Sequence, residues 1–440
     1  MKKAVVVGHG AAGWSGAWRL ASLGWQTEIC SDGTEVGGLL RPHTVAGRPC
    51  DRGAHRLHAA ALRVPAVARL ARHVPLERRQ RQGRVLVAGR AFAYPLRPID
   101  LARGLGLRGG AAMVAGLATA RLTGGDWERQ RIATEDADEG FAAFVRGRAG
   151  EAAYQAFYRP YAEKVWGLDP AELSQTCAKQ RVSSTSPWQL LWGRDRDAFL
   201  YPRGGFGAWM TALVAAARQA GVRSGPVGRV HRANLGELDA DAVLFTGHLA
   251  DLLTPEQQTA AGLEHRGLAL VWLAVPDEQP GPVDTWYTPD ASWWFGRVSE
   301  VGRFLHADGG RGRLLCVEIP QGRHPPGRSF LSELATLRAQ LDDAGILAAR
   351  AVISEAAEHF EPAVYPLYRR GWQGRWRQAL RLAGQGGRVF PAGRQGLWLH
   401  CNVDHAMATA DAAADAIAGH GDSARWAGTA LAFDRVRVRD

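Results

Sequence analysis

Cysteine is scarce in this sequence, and the few cysteines form no recognisable metal or redox pattern. The chain of 440 residues has five of them, widely spaced, with no CxxC and no Cys/His cluster. An odd number of scattered cysteines fits a reducing compartment. We therefore expect no metal site and a cytoplasmic location.

A hydrophobic run long enough to span a membrane is also lacking. The longest, GGAAMVAGLATA at 109–120, lies between Arg108 and Arg121 and falls short of the roughly 20 residues that a span needs. The N-terminus resembles a signal peptide only briefly, because its apolar run ends at Gly8. We therefore interpret 109–120 as a buried or interfacial helix and expect no membrane span.

Acidic residues are outnumbered, with 43 Asp and Glu against 54 Lys and Arg and a formal net charge of +11. This balance favours anionic ligands, although most of the arginines are equally compatible with a solvated surface. The basic run ERRQRQGR at 77–84 has no interleaved aromatic residues, so we expect no nucleic-acid binding. With 46% hydrophobic residues the chain is globular, and its length suits two interleaved domains.

The N-terminal segment has the pattern of strand, glycine turn, helix and strand. The apolar run 4–7 predicts a buried parallel strand, and a helix is predicted from about Ala12 to Leu23. Between them Gly8, Gly10 and Gly13 fit G-x-G-x-x-G. These glycines permit a tight turn, close approach of a pyrophosphate, and close packing of helix on strand. Because the helix amides attract phosphates, the segment predicts a dinucleotide-binding βαβ unit.

The rest of the chain alternates between two patterns. The predicted elements are short strands at 83–96, mostly helices at 100–175, a glycine turn and helix at 201–221, a buried strand at 239–247, an antiparallel sheet at 267–320, a strand at 387–393 and a helix at 404–419. The fold class is therefore α/β, with a Rossmann-type domain interrupted twice by a second domain that is part helical and part antiparallel sheet.

Several motifs together resemble a known enzyme superfamily. A second diglycine in EVGG at 35–38 lets backbone lie against a ligand. The further motifs are GAHRLH at 53–58, FYRPYAEKVWGLDPAELSQTCAKQRV at 157–182, WFGRVSEVGRF at 294–304 and FPAGRQGLWLHCNVDHA at 390–406. Over nearly the whole chain they resemble the FAD-dependent amine-oxidase superfamily, which includes protoporphyrinogen oxidase. Within it, UDP-galactopyranose mutases and the oxidoreductases related to them are most similar.

This resemblance implies a discontinuous domain organisation. The implied FAD-binding domain comprises 1–75, 199–260 and 355–425, the inserted substrate domain comprises 76–198 and 261–354, and 426–440 is a tail. FAD is the implied cofactor. The implied substrate is a small molecule, anionic or sugar-like, and a homo-oligomer is compatible with the sequence.

The resemblance also implies the cofactor contacts. The predicted cofactor-binding residues are Gly8, Gly10, Gly13, Ser31, Asp32, Gly37, Gly38, Gly53, Gly393, Arg394 and Val403. Ser31 departs from the family, which has a ribose-binding Glu there, and its hydroxyl lacks the two-oxygen grip of a carboxylate. Asp32 could substitute for it. Because one lost charged hydrogen bond costs about 1.5–3 kcal/mol, we expect FAD to bind, but less tightly.

At the reacting end the resemblance implies a second set of residues. The predicted catalytic residues, beside flavin N5, are His55, His58 and His400, and the predicted substrate residues are Trp166, Arg181, Arg297, Tyr365 and Asn402. The two arginines match a pair that holds a diphosphate in the mutases, a task suited to the guanidinium fork. Core packing, or a surface salt bridge for the arginines, is the alternative for several of these residues.

Two details leave the substrate open. His400 and Asn402 stand where the mutases have Tyr and Asp, which argues against the mutase reaction. Five tryptophans are expected to line the substrate cavity, with ordinary core packing as the alternative. These are Trp188, Trp192, Trp286, Trp293 and Trp294.

Three functions remain open. The first is an oxidoreductase in which FAD takes a hydride from an amine, alcohol or C–C bond of a sugar-like or specialised metabolite. The second is a redox-neutral mutase of a nucleotide-activated sugar, with reduced flavin N5 as nucleophile. The third is a former flavoprotein that binds a ligand without catalysis. We favour the first, because the departures fall on mutase-specific residues.

Overall fold

The computed structural model describes residues 1–33, 35–87, 89–94, 138–181, 198–305, 312–322, 329–385 and 387–435, with the side chains of 179–181 outside this description. The strands are β1 Lys3–Val7, β2 Gln26–Ser31, β3 His43–Val45, β4 Arg48–Cys50, β5 Leu76–Gln80, β6 Gly83–Val87, β7 Arg90–Tyr94, β8 Ala198–Pro202, β9 Arg223–Val227, β10 Ala242–Phe245, β11 His265–Val275, β12 Thr285–Tyr287, β13 Arg297–Glu300, β14 Arg313–Pro320, β15 Glu355–Pro366 and β16 Val389–Pro391.

The α-helices are α1 Ala11–Ser22, α2 Pro65–Leu70, α3 Phe141–Ala153, α4 Arg159–Trp166, α5 Gln175–Arg181, α6 Gly205–Gln219, α7 Pro255–Ala261, α8 Val301–Leu305, α9 Leu334–Asp343, α10 Trp372–Gly384, α11 Gly393–Gly396, α12 Val403–Gly419 and α13 Ser423–Ala430. A π-helical turn, Tyr154–Tyr158, joins α3 to α4. No helix in the described ranges is long and apolar enough to cross a membrane.

A five-stranded parallel sheet contains the N-terminal unit. Its strand order is β16-β10-β1-β2-β9. The run at 4–7 is buried, as expected for a parallel strand covered on both faces. Helix α1 follows one turn later and packs against α6 and α12. The predicted βαβ unit is confirmed, as are the predicted strand at 239–247 and the predicted helices at 201–221 and 404–419.

The third glycine of the turn is required by packing. A Cβ at Gly13 would collide with the carbonyl oxygen of Gly8, and a Cβ at Gly8 would collide with the hydroxyl of Thr246. Gly8 also has a φ of +111°, which L side chains rarely adopt. Helix α1 can therefore lie this close to β1 and β10 only with glycine at these positions.

A seven-stranded sheet forms the second layer. Its order is β15-β11-β14-β13-β12-β6-β7, antiparallel except for the parallel pair β12 and β6. The strands predicted at 83–96 and 267–320 are confirmed, and they share one sheet. Strand β15 at 355–366, which the resemblance assigned to the FAD-binding part, pairs with β11 here. The domain boundaries themselves remain a proposal.

Two parts of the sequence analysis fall outside the described residues. They are the helical prediction over 100–137, including the apolar run at 109–120, and the positions Trp188 and Trp192. The other three tryptophans lie in a hydrophobic cluster between the seven-stranded sheet and α9, where Trp293 is buried and Trp286 and Trp294 are half-buried. For these three the structure favours core packing.

Candidate functional site

A cavity of about 600 Å³ opens where the carboxyl ends of the parallel strands face the second sheet. Ligands of open α/β sheets bind at this edge, because strand ends and helix N-termini meet there. The predicted site residues that line it are Gly8, Gly10, Ser31, Asp32, Gly37, Gly38, His55, Arg297, Tyr365, Arg394, His400, Asn402 and Val403. Residues far apart in sequence are thus brought to one cavity.

The two glycine turns form one wall together. The amide of Gly37 donates to the carbonyl of His9 at 2.9 Å, and a Cβ on Gly38 would lie 3.3 Å from the Cα of Gly10. Gly37 has a φ of +127°. The diglycine of EVGG therefore packs directly on the first turn, and bare backbone borders the cavity beside the N-terminus of α1.

The Ser31 hydroxyl is engaged within the protein. It donates to the carbonyl of Gly33 at 2.5 Å and lies 3.0 Å from Nδ1 of His9. Asp32, one residue later, is exposed and lines the cavity. Burial lowers the pKa of His9, so this ring is neutral at pH 7. The carboxylate at the end of β2 is therefore better placed than the Ser31 hydroxyl to meet a ligand.

At the other end of the cavity, α12 begins. Its N-cap Asn402 makes no capping hydrogen bond through its side chain, and its first turn lines the cavity at Val403 and Ala406. The loop before it is held by Arg394, whose guanidinium donates to the carbonyl of Cys401 at 2.7 Å and to that of Val364. Arg394 thus ties the start of α12 to β15.

His55 and Arg297 lie beside each other in the wall. Burial, and next to it the charge of Arg297, lower the pKa of His55 to about 4, and its Nε2 is buried without a hydrogen-bond partner among the described residues. Arg297 donates through Nε to Oε1 of Glu318 at 2.7 Å. At neutral pH the site therefore has an uncharged imidazole next to an ion pair.

Tyr365 and His400 complete this end. Their rings meet edge to face with centroids 5.5 Å apart. The backbone amide of His400 donates to the hydroxyl of Tyr368 at 2.7 Å. Since the rings of Tyr365 and His400 are both buried and both border the cavity, they form a polar, aromatic face at the level of the α12 N-terminus.

Comparison with known proteins agrees with this architecture. The family model for flavin containing amine oxidoreductases matches residues 11–317. The chain belongs to this family. It is therefore a flavin-dependent enzyme, and this finding argues against the hypothesis of a non-catalytic ligand binder.

Individual relatives are more distant. A coproporphyrinogen III oxidase of Mycobacterium leprae is 33% identical over 188 residues, 41% of this chain and 40% of that protein. The structure of reduced UDP-galactopyranose mutase is 17% identical with a TM-score of 0.79, covering 98% of this chain and 99% of the other. Cyclohexylamine oxidase from Brevibacterium oxydans is 16% identical with a TM-score of 0.65, covering 95% and 98%. At these identities the two structures establish the fold alone.

Some predicted residues lie beside the cavity of this flavoenzyme and do not line it. Gly13 packs against the first turn, and Gly393, with a φ of +77°, packs against Ala12. Gly53 has a φ of +91°, and a Cβ there would lie 3.0 Å from Oε1 of Glu318. These three glycines therefore leave room for the elements that do form the wall.

Three further predicted residues are not brought to the described wall. His58 precedes a short 3₁₀ turn, is half-buried, and is not among the residues that line the cavity. Trp166 is buried and meets Phe141 edge-on, with centroids 5.8 Å apart, which favours its core-packing alternative. Arg181 ends α5, and its side chain lies outside the described part of the chain.

The sequence analysis missed several residues that the flavoenzyme places at the cavity. Thr246 follows β10 and donates to the carbonyl of Val7 at 2.7 Å, and Arg229 pairs with Asp251 at 2.6 Å beside Val230. The sequence did contain a signal for Thr246. It follows a predicted buried strand directly, and the carboxyl ends of parallel strands meet at the same edge of a sheet. Arg229 follows β9, which carries no strong apolar run.

Proposed function

We propose that the chain is an FAD-dependent oxidoreductase that removes a hydride from a sugar-like or other small specialised metabolite. The supporting observation is that α1 and α12 both begin at one cavity and that no side chain caps either N-terminus. Helix N-termini have exposed amides and partial positive charge. FAD has a diphosphate in its middle and, on the flavin, carbonyl oxygens that gain negative charge on reduction. The two helix N-termini suit these two groups.

Different described residues would hold different parts of FAD. The first amides of α1 and the two glycine turns would hold the diphosphate, Asp32 would accept from the ribose, and the amide of Val403 would serve the flavin carbonyls. When bound, FAD supplies the hydride-accepting chemistry, and the protein positions the substrate and handles the proton.

The substrate end favours net oxidation over a redox-neutral mutase. His400 and Asn402 line the cavity at positions where the mutases have Tyr and Asp. Oxidation of an amine or alcohol releases a proton together with the hydride, and the His400 imidazole can accept that proton. An imidazole at this position therefore fits dehydrogenation.

The relatives suggest which substrates to try first. Cyclohexylamine oxidase is named for an amine and coproporphyrinogen III oxidase for a porphyrinogen. The second candidate function is the mutase reaction, which is supported by the full-length similarity to UDP-galactopyranose mutase and by Arg297 in the cavity wall. It requires reduced flavin, which separates the two experimentally.

The cofactor is tested first. We expect the purified protein to show flavin absorption bands and to release FAD, identified by chromatography, when it is denatured. A colourless protein that takes up no added FAD would contradict the proposal, because the cavity at the two helix N-termini would then not be an FAD site.

The reaction is tested under anaerobic conditions. The oxidised protein is mixed with primary amines, sugar alcohols and porphyrinogens, and we expect one class to bleach the flavin band. In parallel the dithionite-reduced protein is given UDP-galactopyranose. Conversion to the furanose by reduced protein, with no bleaching of oxidised protein by any class, would establish the mutase alternative instead. The variant His400→Phe should slow bleaching by at least about tenfold through loss of the proton acceptor.

A further inference from the structure

We infer that Glu318 neutralises the arginine of the substrate site, so that the site binds an uncharged or singly charged polar group and not a diphosphate. The inference deepens the proposed function and rests on it. It starts from the ion pair between Arg297 and Glu318, which joins Nε to Oε1 at 2.7 Å.

The pair is built into the sheet. Arg297 in β13 and Glu318 in β14 are directly opposite each other across two antiparallel strands. Their side chains are only 16% and 4% exposed, and Gly53 leaves the space that the carboxylate occupies. Burial opposes the charge of Arg297, but Glu318, with smaller contributions from Tyr365 and Tyr287, outweighs burial and holds the pKa of Arg297 above its ordinary range. Arg297 therefore remains charged within the ion pair.

An ion pair attracts an anion far less than an isolated arginine does. An anion placed against Arg297 also feels the repulsion of the Glu318 carboxylate directly behind it, and Coulomb interactions fall only as the inverse of distance. Each additional negative charge on the ligand gains little attraction and loses its hydration. A diphosphate, with two or three charges, is therefore disfavoured most.

The other arginines of the described wall are also engaged. Arg56 pairs with Asp284 at 3.1 Å, and Arg229 pairs with Asp251 at 2.6 Å. The guanidinium of Arg394 donates to two backbone carbonyls of the chain. Arg394 keeps its positive charge, because backbone carbonyls carry none, but Arg56, Arg229 and Arg297 are each paired with a carboxylate. Since His55 is neutral as well, the charge of three of the four arginines in the described wall is compensated.

The geometry still leaves Arg297 a binding task. A guanidinium has five N–H donors in a rigid fork, and Glu318 takes the Nε edge while Arg297 lines the cavity. Glu318 is thus a positioning residue that orients the fork. The group that suits the remaining donors is a carbonyl, a hydroxyl or a single carboxylate of the substrate.

The test compares ligands that differ only in phosphate number. Uridine, UMP and UDP are titrated into the oxidised, flavin-loaded protein, with flavin absorption changes and calorimetry as readouts. We expect UDP to bind no more than about threefold more tightly than uridine, because added charge gains little at a neutral pair. A preference for UDP above about tenfold would overturn the inference, while the flavin spectrum would still support the proposed cofactor.

Variants assign the effect to Glu318. Glu318→Gln should bind UDP at least about tenfold more tightly than the wild type, and Arg297→Gln/Glu318→Gln should return to the wild-type affinity. The matched control is Glu300→Gln. Glu300 forms a buried ion pair with Arg313 in the same sheet, but neither residue lines the cavity. It should leave UDP binding unchanged. An equal gain in both Glu→Gln variants would contradict the assignment to Glu318. A protein that contains no flavin would instead contradict the proposed function.

Discussion

At the scale of single residues, the end of β2 shows how a substitution can be absorbed by its neighbour. The hydroxyl of Ser31 is hydrogen-bonded to Gly33 and lies against His9, and Asp32 borders the cavity. A carboxylate accepts two hydrogen bonds from vicinal ribose hydroxyls, which a hydroxyl already engaged elsewhere cannot do. We therefore propose that Asp32 recognises the ribose, one residue later than in the family pattern.

Asp32→Asn should weaken FAD binding by roughly 10-fold or more, as expected from the loss of a charged hydrogen bond of about 1.5–3 kcal/mol. Apoprotein titration with FAD, followed by flavin fluorescence, measures the dissociation constant. Ser31→Ala is the control and should weaken binding less, because its hydroxyl serves the turn. A larger loss in Ser31→Ala than in Asp32→Asn would return the ribose contact to the serine.

His55 should make the protein less stable in acid. Its pKa is lowered to about 4 in the folded state, whereas in the unfolded chain it is near 6.5. The unfolded state therefore binds more protons between these values, so stability falls as pH decreases from about 6.5 to about 4, by at most about 3 kcal/mol. In His55→Gln the free energy of unfolding should change less between pH 7 and pH 4.5.

The control for this titration is His265→Gln. Burial, and to a smaller extent the charge of His248, also lower the pKa of His265 to about 4. His265 does not line the cavity. Both variants should flatten the pH dependence of stability, and only His55→Gln should shift the flavin spectrum. An unchanged pH dependence in His55→Gln would show that its imidazole titrates normally.

At the scale of elements, the start of α1 has two glycines with different reasons to be glycine. A Cβ at Gly13 collides with the backbone of Gly8, whereas a Cβ at Gly10 meets nothing within 4 Å. Gly10 lines the cavity and has an ordinary φ of −82°. Packing therefore constrains Gly13, and we propose that the space that a ligand needs constrains Gly10.

The two alanine variants should separate these effects. Gly13→Ala should destabilise the apoprotein by about 1–3 kcal/mol through overpacking. Gly10→Ala should leave the stability of the apoprotein nearly unchanged and weaken FAD binding, because its methyl group would take up cavity space that the cofactor would need. Denaturant unfolding without FAD and FAD titration measure the two quantities. Equal destabilisation by both substitutions would contradict this division.

At the scale of the whole molecule, the cavity joins segments that are far apart in the sequence. Its walls come from the glycine turn, the loop after β4, β13, β15 and the start of α12. A ligand can contact all of these segments at once only in the folded state, because the unfolded chain does not bring them together. FAD should therefore stabilise the protein as a linked binding equilibrium.

We expect the melting temperature to rise with FAD concentration, with a gain of about 2.7 kcal/mol at 100 times the dissociation constant. Differential scanning fluorimetry of apoprotein across an FAD series measures this. Riboflavin, which lacks the diphosphate and adenosine, is the matched ligand and should stabilise much less. Equal stabilisation by both ligands would argue against the assigned roles of the α1 N-terminus and Asp32.

The sequence by itself determined the βαβ unit and the family motifs. The physical reason is locality: the positive φ of Gly8 and the collisions at Gly8 and Gly13 demand glycine at fixed spacing, and a strand buried on both faces demands an apolar run. The assignment of residues 4–7, of α1 and of the strand ending at Phe245 needed no long-range partner.

Only the tertiary structure decided what these elements surround. Glu318 faces Arg297 because β13 and β14 pair in that register, and alternating apolar residues do not specify which charged residues will be opposite each other. In the same way, Trp293 and Trp166 were assigned to core packing by neighbours that are distant in sequence. The charge and shape of the substrate site depend on such pairings, so they appear only once the two sheets are assembled.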